Sequence, residues 1–240
     1  MPRASRYYLP GYTWHITHRC HKREFLLKFD RDKRRWIHWL FEAKKRYGLC
    51  VLKYTATSNH VHLLIYESKA GTISKSMQLI AGRVGQEYNI RKRRKGAFWE
   101  DRYQATAIES ETYLIQCMVY IDLNMVRAGV VNHPEDWEFA GYNEIMNPKE
   151  RYAIIDHETL RGFFQVKNNR RLQEDYSGFV QREINKEVIK QDPDWSQSIA
   201  VGSEDFVVGI QSKLGIKTEK RKVDGKEDHW MLHEPGVSYN

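Results

Sequence analysis

The stretch from Ser58 to Tyr66, Ser-Asn-His-Val-His-Leu-Leu-Ile-Tyr, constrains the fold more than any other part of the chain. In a strand, side chains two apart share a face, so His60 and His62 point one way and Val61, Leu63 and Ile65 the other. Two imidazoles on one face can hold one metal ion, which makes the pair a candidate half-site. Residues 50–57 also read as a strand and turn through Ser58-Asn59 into the histidine strand, so the two form a hairpin. A histidine pair is weak evidence alone, because the chain holds 10 histidines. Its partner has to come from elsewhere in the sequence.

Pro10-Gly11 signals a turn, and residues 12–18 after it, rich in β-branched and aromatic types, read as a first strand. From Asp32 the period becomes helical: Trp36, Leu40, Ala43 and Tyr47 share a face, and Gly48 stops the helix. Gly71-Thr72 opens a second helix with Thr72 as N-cap and Ile73, Met77, Ile80, Val84 and Tyr88 at helical spacing. It ends in Arg91-Lys92-Arg93-Arg94-Lys95, five consecutive cations that suit either a solvated loop or a phosphate contact. Residues 98–99 and 102–108 read as a fourth strand segment. A third helix, N-capped by Ser110, runs over 111–127 with Gly129 past its end. Leu114, Cys117, Met118, Ile121 and Met125 form one apolar stripe and Ile115, Val119 and Val126 a second, so this helix is largely buried. The order strand, helix, two strands, helix, strand, helix gives an antiparallel α+β sheet with helices on one face. Asn147-Pro148 is the best boundary signal. It divides a domain over 1–147 from a mainly helical C-terminal extension over 148–240, with helices at 154–164, 170–190 and 203–215.

A hydrophobic content of 41% is enough for a core, and a net charge of +8 with 12% aromatics suits a polyanion with stacking bases, hence nucleic acid before a membrane surface. Cys20, Cys50 and Cys117 share no C-x-x-C spacing, which argues against a disulfide framework or zinc ribbon and for a reducing compartment. The first residues lack the apolar core of a signal peptide and no run is long enough to span a bilayer. The expectation is a cytoplasmic protein without a membrane partner.

Within the third helix Tyr120 and Asn124 are four apart and lie on one edge. There the phenol can face a bound phosphate while the amide oxygen completes a metal site begun by His60 and His62. Two neutral imidazoles and a neutral amide leave a bound Mg²⁺ or Mn²⁺ its full charge, able to polarise and orient a phosphodiester. Tyr120 is then a covalent nucleophile that conserves the bond energy as a phosphotyrosine.

His60-Val61-His62 followed by Tyr120-Ile121-Asp122-Leu123-Asn124-Met125-Val126-Arg127-Ala128-Gly129 resembles the REP-associated tyrosine transposases, a group of the single-tyrosine HUH transposases. The opening strand from Tyr8 to Arg19 and the stretch from Asp136 to Tyr142 also look like that family, so the likeness spans about residues 6–143 in the family's order. It implies a ferredoxin-like sheet (the HUH endonuclease fold) with the histidines on a central strand and the tyrosine on a facing helix. It also implies cleavage of single-stranded DNA beside a REP-like hairpin, leaving a 5′-phosphotyrosine and a free 3′-hydroxyl. His60, His62 and Asn124 carry over as metal ligands and Tyr120 as nucleophile. Met125 departs from the family, which has proline there, and leaves the helix's exit unrestrained. The resemblance implies a monomer, and DNA contacts from the N-terminal segment and basic loops: Arg3, Arg6, Arg19, Lys22, Arg23, Arg83, Arg93, Arg94 and Arg102 are the candidates. Tyr7, Tyr8 and Trp99 are candidates for stacking on unpaired bases.

Several readings compete. Tyr113 on the same edge as Tyr120 is assigned to packing, His15 to the core, Asp122 to a structural hydrogen bond, and His229 and His233, with no glutamate between them, to no zinc-protease signature. A hairpin-DNA-binding regulator that retains the fold without cutting is the alternative function; a replication or mobilisation initiator and a hydrolytic metallonuclease are further ones.

Overall fold

The structure is a computed structural model, and it describes residues 9–186, 192–215 and 221–233. The chain enters β1 (Tyr12–Arg19), crosses a 3-10 turn at His21–Arg23, and continues through α1 (Asp30–Tyr47), β2 (Cys50–Ala56), β3 (His60–Glu67), α2 (Thr72–Arg91) and β4 (Gln104–Ile108). These four strands lie in the order β2-β3-β1-β4, antiparallel throughout, which is the ferredoxin-like arrangement expected.

Strand register decides what each face carries. Trp14 and Ile16 of β1 stand beside Ile65 and Leu63 of β3, and Tyr54 of β2 beside Leu63. This side is covered by α1 and α2: the ring of Trp36 lies 6.4 Å from that of Tyr54, and Ile73, Met77 and Ile80 are buried. Full burial of each such large apolar side chain is worth about 1.5–3 kcal/mol. On the other face Thr17 and Thr55 flank His62, and His15 stands beside Leu64. That face is covered by α3 (Thr112–Asp122). The first two helices therefore share one face, as expected, and the third takes the opposite one, over the histidines.

Both expected N-caps are displaced by one residue. Gly71, at φ +84°, precedes α2, and the buried carboxylate of Glu67 accepts the Ile73 N–H at 3.3 Å, a favourable placement of charge at a helix N-terminus. Glu111, at φ +67°, stands at the N-cap of α3 where Ser110 was expected. The third helix is also interrupted. It stops at Asp122, Leu123 breaks the helical geometry, and α4 (Asn124–Arg127) follows, ended by Gly129 at φ +65°. Tyr120 and Asn124 thus sit on two successive helical segments rather than one.

After α5 (Tyr142–Met146) the chain forms α6 (His157–Phe163), α7 (Asn169–Ile184), α8 (Asp194–Gln197) and α9 (Glu204–Leu214). Three short strands accompany them, β5 (Ala200–Gly202), β6 (Lys222–Gly225) and β7 (Trp230–His233), none of which the sequence reading anticipated. β5 runs parallel to β4, and the sheet continues β4-β5-β7-β6 to seven strands. Three or four residues are too few to display a period. α7 ends at Ile184, short of the 190 expected, with residues 187–191 outside those described, and the helix expected over 203–215 is α9, with Ser203 as its N-cap. The cysteines are unpaired, and no helix among the described residues is long and apolar enough to cross a membrane.

Candidate active site

The sheet face beneath α3 and α4 brings His60, His62, Tyr120 and Asn124 together. The rings of His60 and His62 lie edge to face with centroids 4.8 Å apart, and the Tyr120 ring is 6.2 Å from His62. The Asn124 amide reaches His62, with Nδ2 3.2 Å from Nε2. His15 joins them: strand register turns it towards the site, its ring stacks on His62 at 5.1 Å, and the Tyr120 ring is 6.1 Å away. It is fully buried, as a core histidine would be, yet it touches the site directly.

A chain of hydrogen bonds assigns the imidazole protons. The Trp195 carbonyl only accepts, so His15 Nδ1, 2.5 Å away, carries a hydrogen. In the neutral ring Nε2 of His15 is then an acceptor, and it receives the bond from His62 Nδ1 at 2.9 Å. His62 is left with its Nε2 lone pair directed at Asn124. His60 is held similarly, its Nδ1 lying 2.7 Å from Asn59 Oδ1 and 2.9 Å from Thr57 Oγ1, so that its Nε2 carries the free pair. Fixing the tautomer through the far nitrogen is what prepares a histidine for metal ligation. Turning the Asn124 amide by half a revolution puts its oxygen where Nδ2 stands. Two imidazole nitrogens and one amide oxygen then form a neutral donor set that fits a divalent cation.

Neutrality of the imidazoles follows from burial. It pushes His15 and His60 down to about 4, and His62 well below its ordinary value; Arg19 adds to the effect at His60, and His60, His15 and Arg127 at His62. Because the folded pKa lies below the unfolded 6.5, the unfolded chain binds more protons at intermediate pH. The contribution to stability is present above about pH 6.5 and is lost as pH falls through about 4. Thermal melts between pH 7.5 and 4.5 should therefore show a midpoint that drops on acidification, with a shallower drop in His15→Gln; a midpoint that rises on acidification contradicts this account.

Tyr120 is 8% exposed. Burial raises its phenol above the ordinary value, while the charge of Arg127 and a hydrogen bond with the Ser196 side chain act downward. The Arg127 guanidinium lies 4.4 Å from the ring centroid and donates from Nη2 to the Tyr120 carbonyl at 2.7 Å. The more open edges of the site are His60 and Asn124, both half-buried. Sequence reasoning missed Arg127, His15, Trp195 and Ser196. Positions 120, 124 and 127 form one helical stripe, a spacing that could have flagged Arg127. Nothing local flags Trp195 or Ser196, which arrive from far along the chain.

The proposed DNA contacts divide into two groups. Arg19 stands opposite His60 in register, Lys22 and Arg23 follow on the 3-10 turn, and Asn59 Nδ2 donates to the Arg23 carbonyl at 3.3 Å, so these three lie at the His60 end of the sheet. Arg102 follows Asp101, whose carbonyl bonds to His18 at 2.8 Å, at the same end. Arg93 is exposed in the loop after α2, at φ +49°. Arg94 is occupied within the fold, donating to Ala97 O at 2.8 Å and lying 3.9 Å from Glu24. Arg83 stacks on Trp39 at 5.3 Å on the face opposite His62, so the structure does not bring it to the site. Arg3, Arg6, Tyr7 and Tyr8 lie outside the described residues. Trp99 stacks on His18 with centroids 4.0 Å apart and donates to Ala81 O at 3.0 Å, which ties it into the fold.

Asp192, Asp194 and His229 form a second group with metal-ligand character. The Lys226 ammonium sits on Asp194, however, and takes the place a cation would fill. His229 and His233 lie on or beside β7 rather than on a helix, His229 bonding Asp228 at 2.8 Å and His233 near Ser198 at 3.4 Å.

Residues 9–124 match the family described as Transposase IS200 like. Among solved structures, the chain is similar to a REP-associated tyrosine transposase bound to a REP hairpin, with a TM-score of 0.51, 20% identity, and coverage of 65% of this chain and 94% of that chain. It also aligns with a provisionally assigned transposase from Deinococcus radiodurans R1, with a TM-score of 0.36, 14% identity, and coverage of 53% and 92%. No curated protein matches in sequence.

Proposed function

We propose, from the match of residues 9–124 to the IS200-like transposases, that the chain is a metal-dependent nickase and strand transferase acting on single-stranded DNA beside a hairpin, through a covalent phosphotyrosine. The observation that carries this reading is the meeting of the Tyr120 ring with His62, at 6.2 Å, on the same face as His60 and Asn124. His60, His62 and Asn124 would hold Mg²⁺ or Mn²⁺, whose uncompensated charge would polarise and orient the phosphodiester. The Tyr120 oxygen attacks phosphorus as the bond to the 3′ oxygen breaks; the phenol gives up its proton, the leaving oxygen takes one, and the products are a 5′-phosphotyrosine and a 3′-hydroxyl. His15 keeps the His62 ring turned and its proton on Nδ1. Arg19, Lys22, Arg23 and Arg102, gathered at the His60 end, suit the DNA backbone, with Arg93 in the neighbouring loop. The likeness to a hairpin-bound transposase makes a REP-like hairpin the substrate to try first.

The test is incubation with a labelled hairpin oligonucleotide carrying single-stranded flanks, with Mg²⁺ or Mn²⁺, followed by denaturing electrophoresis. A protein-linked band is expected. Free cleavage without it indicates hydrolysis, and tight binding with neither indicates a regulator. His60→Ala and His62→Ala should each slow linkage on the order of 10²-fold or more, as loss of a metal-site group does, with a much smaller loss of oligonucleotide affinity, because phosphate contacts dominate binding. Equal losses of rate and affinity would contradict that division.

A further inference from the structure

Among the described residues no carboxylate pairs with Arg127. Several buried or half-buried cations are paired with carboxylates, Lys53 with Asp122, Arg35 with Glu87 and Arg91 with Asp32, while Lys44 and Arg161 instead spend their donors on backbone or amide oxygens. Burial lowers the pKa of Arg127, and Tyr120 acts in the other direction. Its charge is felt at His62 across the site. A guanidinium has five N–H donors, and here Nη2 is spent on the Tyr120 carbonyl at 2.7 Å while one face covers the Tyr120 ring. A purely structural role accounts for those two contacts, since the carbonyl lies where the helix breaks at Leu123. It makes no use of the remaining donors, which have no acceptor among the described residues and stay open to solvent, on a half-buried charge that no carboxylate among those residues offsets, beside the proposed nucleophile.

We propose that Arg127 is a catalytic residue of this site: its free N–H donors bind a non-bridging oxygen of the phosphodiester attacked by Tyr120 and stabilise the charge that builds there in the transition state. The inference rests on the reading of Tyr120 as nucleophile. The planar guanidinium fork matches phosphate oxygens, and a donor already fixed by its bonds to the nucleophile's own residue needs no rearrangement as charge develops. Arg127 thereby ties the position of the phosphate to that of the phenol. With Arg19 and two neutral histidines, it makes the site electropositive before any metal enters, which favours a substrate that brings its own negative charge.

The experiment compares wild type, Arg127→Ala and Arg127→Lys for the rate of protein-linked band formation. Each is also tested on oligonucleotides carrying a single sulfur in place of either non-bridging oxygen at the cleaved phosphate. Affinity is measured separately in a Tyr120→Phe background, where no cleavage intervenes. Arg127→Ala should form the linked band ~10²–10³-fold more slowly, the loss expected for one transition-state donor. Affinity should change far less than rate, and guanidinium at millimolar concentration should restore part of the lost rate. Arg127→Lys, which keeps the charge and most of the packing, should be slowed on the order of 10-fold, because it lacks the fork. Wild type should discriminate between the two sulfur positions, and Arg127→Ala should discriminate less. Rates in both variants within about 3-fold of wild type, below 1 kcal/mol of transition-state stabilisation, would overturn the assignment alone. So would a slowed rate with undiminished sulfur discrimination and no rescue, which is the pattern of a packing defect. No linked band in wild type overturns both this assignment and the nucleophile reading.

Discussion

Tyr120→Phe is expected to erase the protein-linked band, with a fall in cleavage on the order of 10³-fold or more, as when an enzyme loses its nucleophile. The substitution is mild for the fold. The ring keeps its place beside His15 and His62 and under the Arg127 guanidinium, and only the hydroxyl's bond with Ser196 is lost. One partly buried hydrogen bond is worth about 1 kcal/mol, too little to unfold a domain of this size. Oligonucleotide affinity should hold within a few-fold at fixed salt, since the basic residues at the His60 end are untouched. Cleavage that survives in Tyr120→Phe would mean that water attacks the phosphate, and the protein would then be a hydrolytic nuclease. Loss of binding together with cleavage would mean that the phenol serves the DNA surface instead.

Much of this arrangement is legible in the sequence, and the parts that are not share a cause. The alternation of Val61, Leu63 and Ile65 against His60 and His62 fixes β3 and its two faces, and the stripe of Trp36, Leu40 and Ala43 fixes the buried side of α1. Those are local signals. The facing of β2 is not local: between Val51 and Lys53 its register shifts by one residue against β3. Without that bulge Lys53 would point under α1; with it, Lys53 stands beside Leu64 on the α3 face and Tyr54 turns to the other side. The orientation of His15 depends in the same way on its pairing with Leu64. Trp195 reaches His15 from 180 residues away, a closure no window of sequence contains. The interruption at Leu123 is hidden for another reason: Leu and Asn are both compatible with a continuing helix, and the break becomes visible only in the geometry around the Tyr120 carbonyl.

Asp122→Ala is expected to destabilise the protein by about 3–5 kcal/mol, the cost of breaking a buried ion pair from one side. Asp122 ends α3 and points away from the Tyr120 edge, where it accepts from the Tyr176 hydroxyl of α7 at 2.6 Å, the structural bond expected of it, and meets Lys53 of β2 at 2.5 Å. Both side chains of the pair are wholly buried, and burial pushes Lys53 down and Asp122 up, each opposed by the charge of the other. The rings of Tyr176 and Tyr142, 4.7 and 5.5 Å from the ammonium, hold it weakly once the carboxylate is gone. For a chain of this length the melting midpoint should fall by roughly 6–20 °C. The double variant Lys53→Met/Asp122→Leu, which removes both charges and keeps the volume, should recover most of the loss, because a buried pair is seldom worth more than well-packed apolar side chains. A single variant that costs under about 1 kcal/mol, or a double variant as unstable as the single, would show that Lys53 does not depend on Asp122. The same three residues join β2, α3 and α7, so the helix that carries Tyr120 is anchored from the strand beneath it and from the C-terminal region. Conditions that loosen this anchor should shift the Tyr120 ring relative to His62 before the sheet itself melts, and fluorine on the ring of Tyr120 would resolve the two events by NMR.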